Sequence, residues 1–147
     1  MYGDTAAIRK RAAALREQGT DVRAMADRLV AQADAIDWQG RAADAMRARM
    51  RERATRLREC AGSHETAAES LERHVVELDR LKDAIADIER KATSLVADAK
   101  TRVAEVDSHN DPDGVRREPT PEDTTLTQFT PPPSGHKDWL TVSLPGL

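Results

Sequence analysis

Aromatic residues are almost missing from this chain. One Phe, one Tyr and two Trp among 147 residues leave little material for a thick globular core. Cys60 is the single cysteine, so no internal disulfide can staple the fold. No run of about 18 apolar residues occurs, which leaves no membrane span. The opening Met1-Tyr2-Gly3-Asp4-Thr5 lacks the apolar stretch of a secretory signal. If the protein leaves the cell, it is expected to do so without a cleaved general-secretory signal. The formal net charge of −3 is too small to imply a partner. There is no Gly-rich phosphate loop, and no Ser, His and acid arrangement with supporting context. The expectation is a protein that is not an enzyme and takes no cofactor.

What the chain does have is Ala, Arg, Asp and Glu laid out at seven-residue spacing, the composition of long helices packed side by side. Its length sets one domain as the starting expectation. Asp4 or Thr5 can cap a first helix. Ile8, Leu15, Val22, Leu29 and Ile36 recur every seven residues, with Ala12, Gly19, Ala26 and Ala33 between them. The two sets make one stripe that alternates large with small. Gly19 costs about 1 kcal/mol against Ala in mid-helix; a close crossing of backbones would explain it, and simple sequence drift is the other reading.

Trp38-Gln39-Gly40 interrupts the pattern, and a second helix is expected from about Arg41. Gly40 can take the positive φ that closes a helix end, and Trp38 can fold its ring over the open end of a hairpin. The second stripe runs Ala43, Met50, Leu57, His64, Leu71, Leu78, Ile85, Ala92, Ala99 and Val106, with Met46, Cys60, Ala67, Leu81, Ile88 and Leu95 in an adjacent column. Gly62-Ser63 could break this helix, but the spacing runs straight through, so one helix is expected, with a bend at Gly62 as an option. Helix one, roughly residues 5 to 36, would be about 48 Å long and helix two, roughly 41 to 107, about 100 Å. An antiparallel hairpin therefore runs out of cover near residue 73. Beyond it lie Leu78, Leu81, Ile85, Ile88, Leu95 and Val106; either the far half of helix two folds back as a third helix, or another chain covers it, and an uncovered apolar face of that length is the main sequence argument for a partner.

From Ser108 the composition changes. Asp111-Pro112-Asp113-Gly114 should stop any helix, and Pro119, Pro121 and Pro131-Pro132-Pro133 follow. The domain reading is a helical hairpin over 1–107 and a Pro-rich disordered tail over 108–147. Trp139, Leu140, Val142, Leu144 and Leu147 make a more apolar end to that tail, either a short docking peptide or incidental hydrophobes.

Other chemistry is thinner. Cys60 and His64 are four apart and could meet on one helix face, while His74 is out of phase; two ligands do not make a zinc site, and no metal is expected. Arg41, Arg47, Arg49, Arg51, Arg53, Arg56 and Arg58 crowd the start of helix two and could meet phosphates. No aromatic interleaves them to stack on bases, and the stretch after them is acidic. A basic block followed by an acidic one suits antiparallel helix pairing better than nucleic acid.

Trp38-Gln39-Gly40 between two amphipathic helices resembles the WXG-motif family, the early-secreted-antigen type of helical-hairpin protein associated with type VII (ESX) secretion. The resemblance covers roughly residues 5 to 80. It implies an all-α antiparallel hairpin, a four-helix bundle built with a second hairpin as homo- or heterodimer, and export as a folded pair without a cleaved signal. It makes Leu15, Val22, Leu29, Leu57, Leu71 and Leu78 the seam and partner face, extended by Ile85 and Ile88. It gives Trp38 and Gly40 the turn, and Trp139, Leu140, Val142 and Leu144 a role in engaging a secretion ATPase. The chain departs from the family in its longer second helix and in lacking the Tyr-x-x-x-Asp/Glu export signal; its only tyrosine is Tyr2, and His109-Asn110-Asp111-Pro112-Asp113 sits where that signal would be. The other readings are an intracellular helical adaptor or toxin chaperone, which would be cytoplasmic, and a nucleic-acid binder through Arg41 to Arg58.

Overall fold

A computed structural model describes residues 4–110, 114 and 116–147. Among these the architecture is all-α, with two long helices, α1 (Thr5–Asp34) and α2 (Arg41–His109), a short α3 (Pro121–Gln128) and a 3-10 helix (Lys137–Thr141). α2 is continuous through Gly62. The expected helix stop at Asp111-Pro112-Asp113 lies outside the described residues. The chain clusters into two compact units, Asp4–Glu77 and, for its described part, Leu78–Leu147, which divide inside α2 rather than at residue 107.

In the first unit α1 opens on Asp4, whose carboxylate accepts from the N–H groups of Ala6 and Ala7 at 3.0 and 3.2 Å. These are donors that the first helical turn leaves unpaired. α1 then packs antiparallel on the first half of α2 through small residues. Ala12, Gly19, Ala26 and Ala33 are buried on α1, and Ala54, Ala61, Ala68 and Val75 on α2. A Cβ on Gly19 would lie 3.3 Å from the Ala61 carbonyl oxygen and 3.5 Å from Cβ of His64. The backbones therefore meet there, and the propensity cost of a mid-helix glycine is the cost of that approach.

This corrects the seam read from the sequence. Leu15, Val22, Leu29, Leu57 and Leu71 are only half-buried, and Met46, Cys60 and Ala67 are exposed. Helices brought together on methyl groups leave no room for Leu between them, so the large residues ride on one shoulder of the contact, where Leu29 and Leu57 line a common groove with Arg53 and Arg56.

The other shoulder is charged. Arg16 forks onto Glu72 (2.7 and 2.7 Å) and Arg23 onto Glu65 (2.8 and 2.9 Å), while Arg58 reaches Asp27 at 2.9 Å and Arg51 reaches Asp34 at 2.7 Å. Half-exposed pairs of this kind add little stability each, but their order carries direction. α1 reads Arg16, Arg23, Asp27, Asp34 and α2 reads Arg51, Arg58, Glu65, Glu72, so only antiparallel packing sets opposite signs face to face. The hydrogen bonds from Arg23 and Arg16 hold the Glu65 and Glu72 carboxyls below their ordinary range, against the opposing effect of partial desolvation.

In the second unit the tail returns along α2, and the expectation of a disordered tail does not describe residues 116–147. Asn110 clasps Arg117 with its amide, donating to the carbonyl at 3.0 Å and accepting from the N–H at 2.9 Å. Thr120 caps α3 by accepting from the Asp123 N–H, and Pro121 begins the helix, where a missing N–H costs nothing. Leu126 and Trp139 are buried. Trp139 packs with Ile85 and Ala92 of α2, ringed by Ile88, Phe129, Val142, Leu144 and Leu147. Its indole N–H donates to the Pro133 carbonyl at 3.0 Å. Arg102 grips Asp123 at 2.7–3.2 Å, and this hydrogen bonding pulls the Asp123 carboxyl below its ordinary range.

Ile85 and Ala92 of this stripe are therefore buried under the chain's own tail, and Leu78 and Ala99 are buried as well. Neither cover expected from the sequence is the one found: the far half of α2 does not fold back as a third helix but runs on unbroken, and a short helix, a proline run and a 3-10 turn of the tail return along it. The partner argument built on a bare far half of α2 falls with it. Proline and threonine lowered the apparent folding power of this segment, but six apolar side chains on a flat helical face suffice to dock it.

Candidate functional site

The turn between α1 and α2 is the part of the first unit where the backbone is irregular and a large ring is open to solvent. α1 ends at Asp34, and Ala35 closes its last turn by donating to the Ala31 carbonyl. Gly40 has a φ of +115°, open to glycine at no steric cost. It does not close α1, as the sequence suggested; its carbonyl accepts from the Asp44 N–H and opens α2. Trp38 does not fold over the hairpin end either: the residue is 52% exposed.

Arg47 holds the turn instead. Its guanidinium donates to the carbonyls of Ile36 (2.8 Å) and Trp38 (2.9 Å), and to the Asp44 carboxylate at 3.0 Å. These are carbonyls that the end of α1 and the linker leave without helical partners. Sequence reading grouped Arg47 with its neighbouring arginines and missed this role. A signal was present: Arg47 stands seven residues before Ala54, a long cation at the head of the column that Ala54, Ala61 and Ala68 continue. Arg47→Ala should lower stability by about 1–3 kcal/mol, the cost of leaving bonded carbonyls without their donor. Urea unfolding measures this, and an unchanged midpoint would remove Arg47 from the turn.

The site residues fall into three places. Trp38 and Gly40 share the turn. Leu15, Val22, Leu29, Leu57 and Leu71 lie half-buried on the hairpin. Leu78 and Ile85 are buried in the second unit and Ile88 is half-buried there. Of the tail patch, Trp139 is buried, Val142 and Leu144 are half-buried in the same core, and only Leu140 stands out at 38% exposure. That patch is occupied by its own chain and is not a free docking peptide.

The arginine block is largely engaged. Arg51 and Arg58 pair with α1 carboxylates, Arg56 with Glu52 at 2.8 Å, and Arg47 with the turn. Cys60 and His64 do approach, with Sγ 3.9 Å from Nδ1, and the same nitrogen lies 3.0 Å from the Cys60 carbonyl oxygen. Among the described residues no three His, Cys, Asp or Glu side chains converge as metal ligands, and no helix is long and apolar enough to cross a membrane.

Neither curated proteins nor solved structures give a match to this chain. A family profile does, over residues 1–136, which take in both long helices, the turn and α3, and stop just short of the 3-10 helix. That span covers nearly the whole chain, and with it the chain belongs to the family described as "Putative T7SS secretion signal domain", which ties it to type VII secretion.

Proposed function

We propose that this chain is a non-enzymatic substrate of a type VII secretion system, recognised as a folded helical hairpin and carried out of the cell without a cleaved signal. The family match over residues 1–136 carries this reading. The geometry of the turn supports its finer part, a WXG-like role for Trp38 and Gly40. Arg47 fixes the backbone from beneath, so the indole is not needed to hold the hairpin and is presented to solvent on a rigid corner. A rigid exposed aromatic loses little entropy on being bound, which is why such residues serve as recognition anchors.

The partner in this reading is a second helical hairpin, as homodimer or heterodimer. The support is no longer the far half of α2. It is the apolar shoulder of the first unit, where Leu15, Val22, Leu29, Leu57 and Leu71 are left half-open by a two-helix contact that buries only small side chains. Two helices have no third layer to close that side, and a second hairpin would supply it.

The test is mass spectrometry of culture medium from cells with an intact and with a disrupted type VII apparatus, using the natural chain and Trp38→Ala. The natural chain should appear in the medium only when the apparatus is intact. Trp38→Ala should leave the melting temperature unchanged, because the ring is exposed, and reduce export about tenfold. Equal release from disrupted cells would overturn the secretion reading, and full export of the variant would overturn the role of the turn alone.

A further inference from the structure

The tail does not fill all of the α2 face it crosses. Beside Trp139 a cavity of about 280 Å³ remains, lined by Ala92, Thr93, Val96, Ala97 and Lys100 of α2 and by Phe129, Pro131 and Trp139 of the tail. It has room for about nine water-sized groups at about 30 Å³ each. This lies at the small end of ligand pockets, about 300–1,000 Å³. One wall is aromatic: the Phe129 and Trp139 ring centroids are 6.1 Å apart with the planes tilted by 60°.

The hydrogen-bonding groups around the cavity are already committed. The Thr93 hydroxyl donates to the Glu89 carbonyl at 2.8 Å, and the Trp139 N–H donates to the Pro133 carbonyl at 3.0 Å. Among the described residues no buried side-chain polar atom is left without a partner. What remains for a ligand, among the described residues, is apolar surface and the ammonium of Lys100, which is exposed and stands in none of the ion pairs formed there. A polar or sugar-like molecule would lose its hydration there and regain nothing. An apolar body with one negative end would bury the body against Val96, Ala97 and the open side of Phe129, and set its charge on Lys100.

We propose that this cavity binds a small amphipathic carboxylate, an alkyl or aryl chain of about ten heavy atoms, with Lys100 holding the carboxylate, Val96 and Phe129 flanking the chain, and Trp139 behind them as the reporter. The site belongs to the second unit and is independent of the secretion reading, which rests on the family match and the turn.

Decanoate and the uncharged 1-decanol are suitable probes, titrated into the full chain while the two indole N–H resonances are followed by NMR. Trp38 is exposed and serves as the internal reference. Decanoate should shift the Trp139 resonance saturably and leave that of Trp38 in place. Lys100→Met should weaken decanoate about two- to fivefold, the range for one half-exposed charge pair, with decanol unaffected. Ala97→Phe, at an exposed position on the rim, should fill the cavity and abolish the shift while leaving the melting temperature unchanged. A Trp139 resonance that moves with neither probe, that moves no differently from Trp38, or that responds to decanoate equally in Lys100→Met and Ala97→Phe would overturn the proposal.

Discussion

Trp139→Ala is expected to release the tail from α2. The residue is only 2% exposed and is the largest fully buried side chain of the described structure, packed against Ile85 and Ala92 and donating to Pro133. Truncating such a side chain removes its transfer free energy and leaves a cavity, about 3–5 kcal/mol for Trp or Phe to Ala. The half-buried Phe129, Val142, Leu144 and Leu147 pack around that one ring and lose their anchor with it. α3 has eight residues, too few to persist as an isolated helix, and is left with Leu126 and the Arg102–Asp123 hydrogen bonds to hold it. The expected result is a tail cleaved by protease at low enzyme concentration while the α1–α2 hairpin resists. With it should come new dye binding and self-association, as Ile85, Ile88 and Ala92 become exposed. Trp139→Phe keeps a ring but loses the N–H to Pro133, and should fall between the two. A Trp139→Ala tail that resists protease as the natural one does would mean that the cover is held by other residues.

This variant also recreates the situation that the sequence seemed to describe, a long apolar column with nothing over it. The column was legible because Leu78, Ile85, Ala92 and Ala99 keep seven-residue spacing. Its cover was not, because the contact pairs Trp139 with residues some fifty positions back, and no local pattern reports a pairing at that distance. Composition pointed the other way, since prolines and threonines usually mark chain that cannot bury enough to fold. Here the prolines hold the backbone extended along a face that another element already presents, so the segment needs no regular structure of its own. The parts fixed by neighbours in sequence were legible: a cap at Asp4 or Thr5, of which the structure uses Asp4, and a second helix that runs through Gly62; the close crossing at Gly19 was one of two readings, and its partner, Ala61, lies far along the chain. At the turn, the position of Trp38 and Gly40 was visible but their mechanics were not. The residue that secures the loop, Arg47, sits nearly two turns into α2, in a run of arginines where only its place in the alanine column sets it apart.

The seam between α1 and α2 was misplaced for a related reason. Large apolar residues attract attention as core, and both helices carry them at seven-residue spacing. Both also carry a column of small residues four positions on, and helices with Ala and Gly in register can come closer than Leu allows. The structure takes the closer packing, and buries Ala54, Ala61 and Ala68 completely while Leu57 and Leu71 stay half-open. The charge order along Arg51, Arg58, Glu65 and Glu72 belongs to the same arrangement. It lies on the opposite shoulder from the leucines, so one edge of the hairpin is closed by ion pairs and the other is left apolar.

Ala61→Leu tests that packing most severely. Ala61 has no exposed surface, and its carbonyl oxygen is the atom that a Cβ on Gly19 would meet at 3.3 Å. Three added carbons have no cavity to enter, since the opposite wall is the α1 backbone. Overpacking typically costs about 1–3 kcal/mol, and more where backbone must move; here relief requires the two helices to part along Gly19, Ala26 and Ala12. The expected outcome is a loss of about 3 kcal/mol or more in urea unfolding of the hairpin. The Arg16–Glu72 and Arg23–Glu65 pairs should be lost together, seen as carboxyl titration of Glu65 and Glu72 returning to the ordinary range from below it. The control is Leu57→Ala, which removes a half-open shoulder residue and should cost less than Ala61→Leu although it deletes apolar surface where Ala61→Leu adds it. If large residues formed the seam, the order would reverse: Leu57→Ala would be the damaging change, and Ala61→Leu would be tolerated on an outer face.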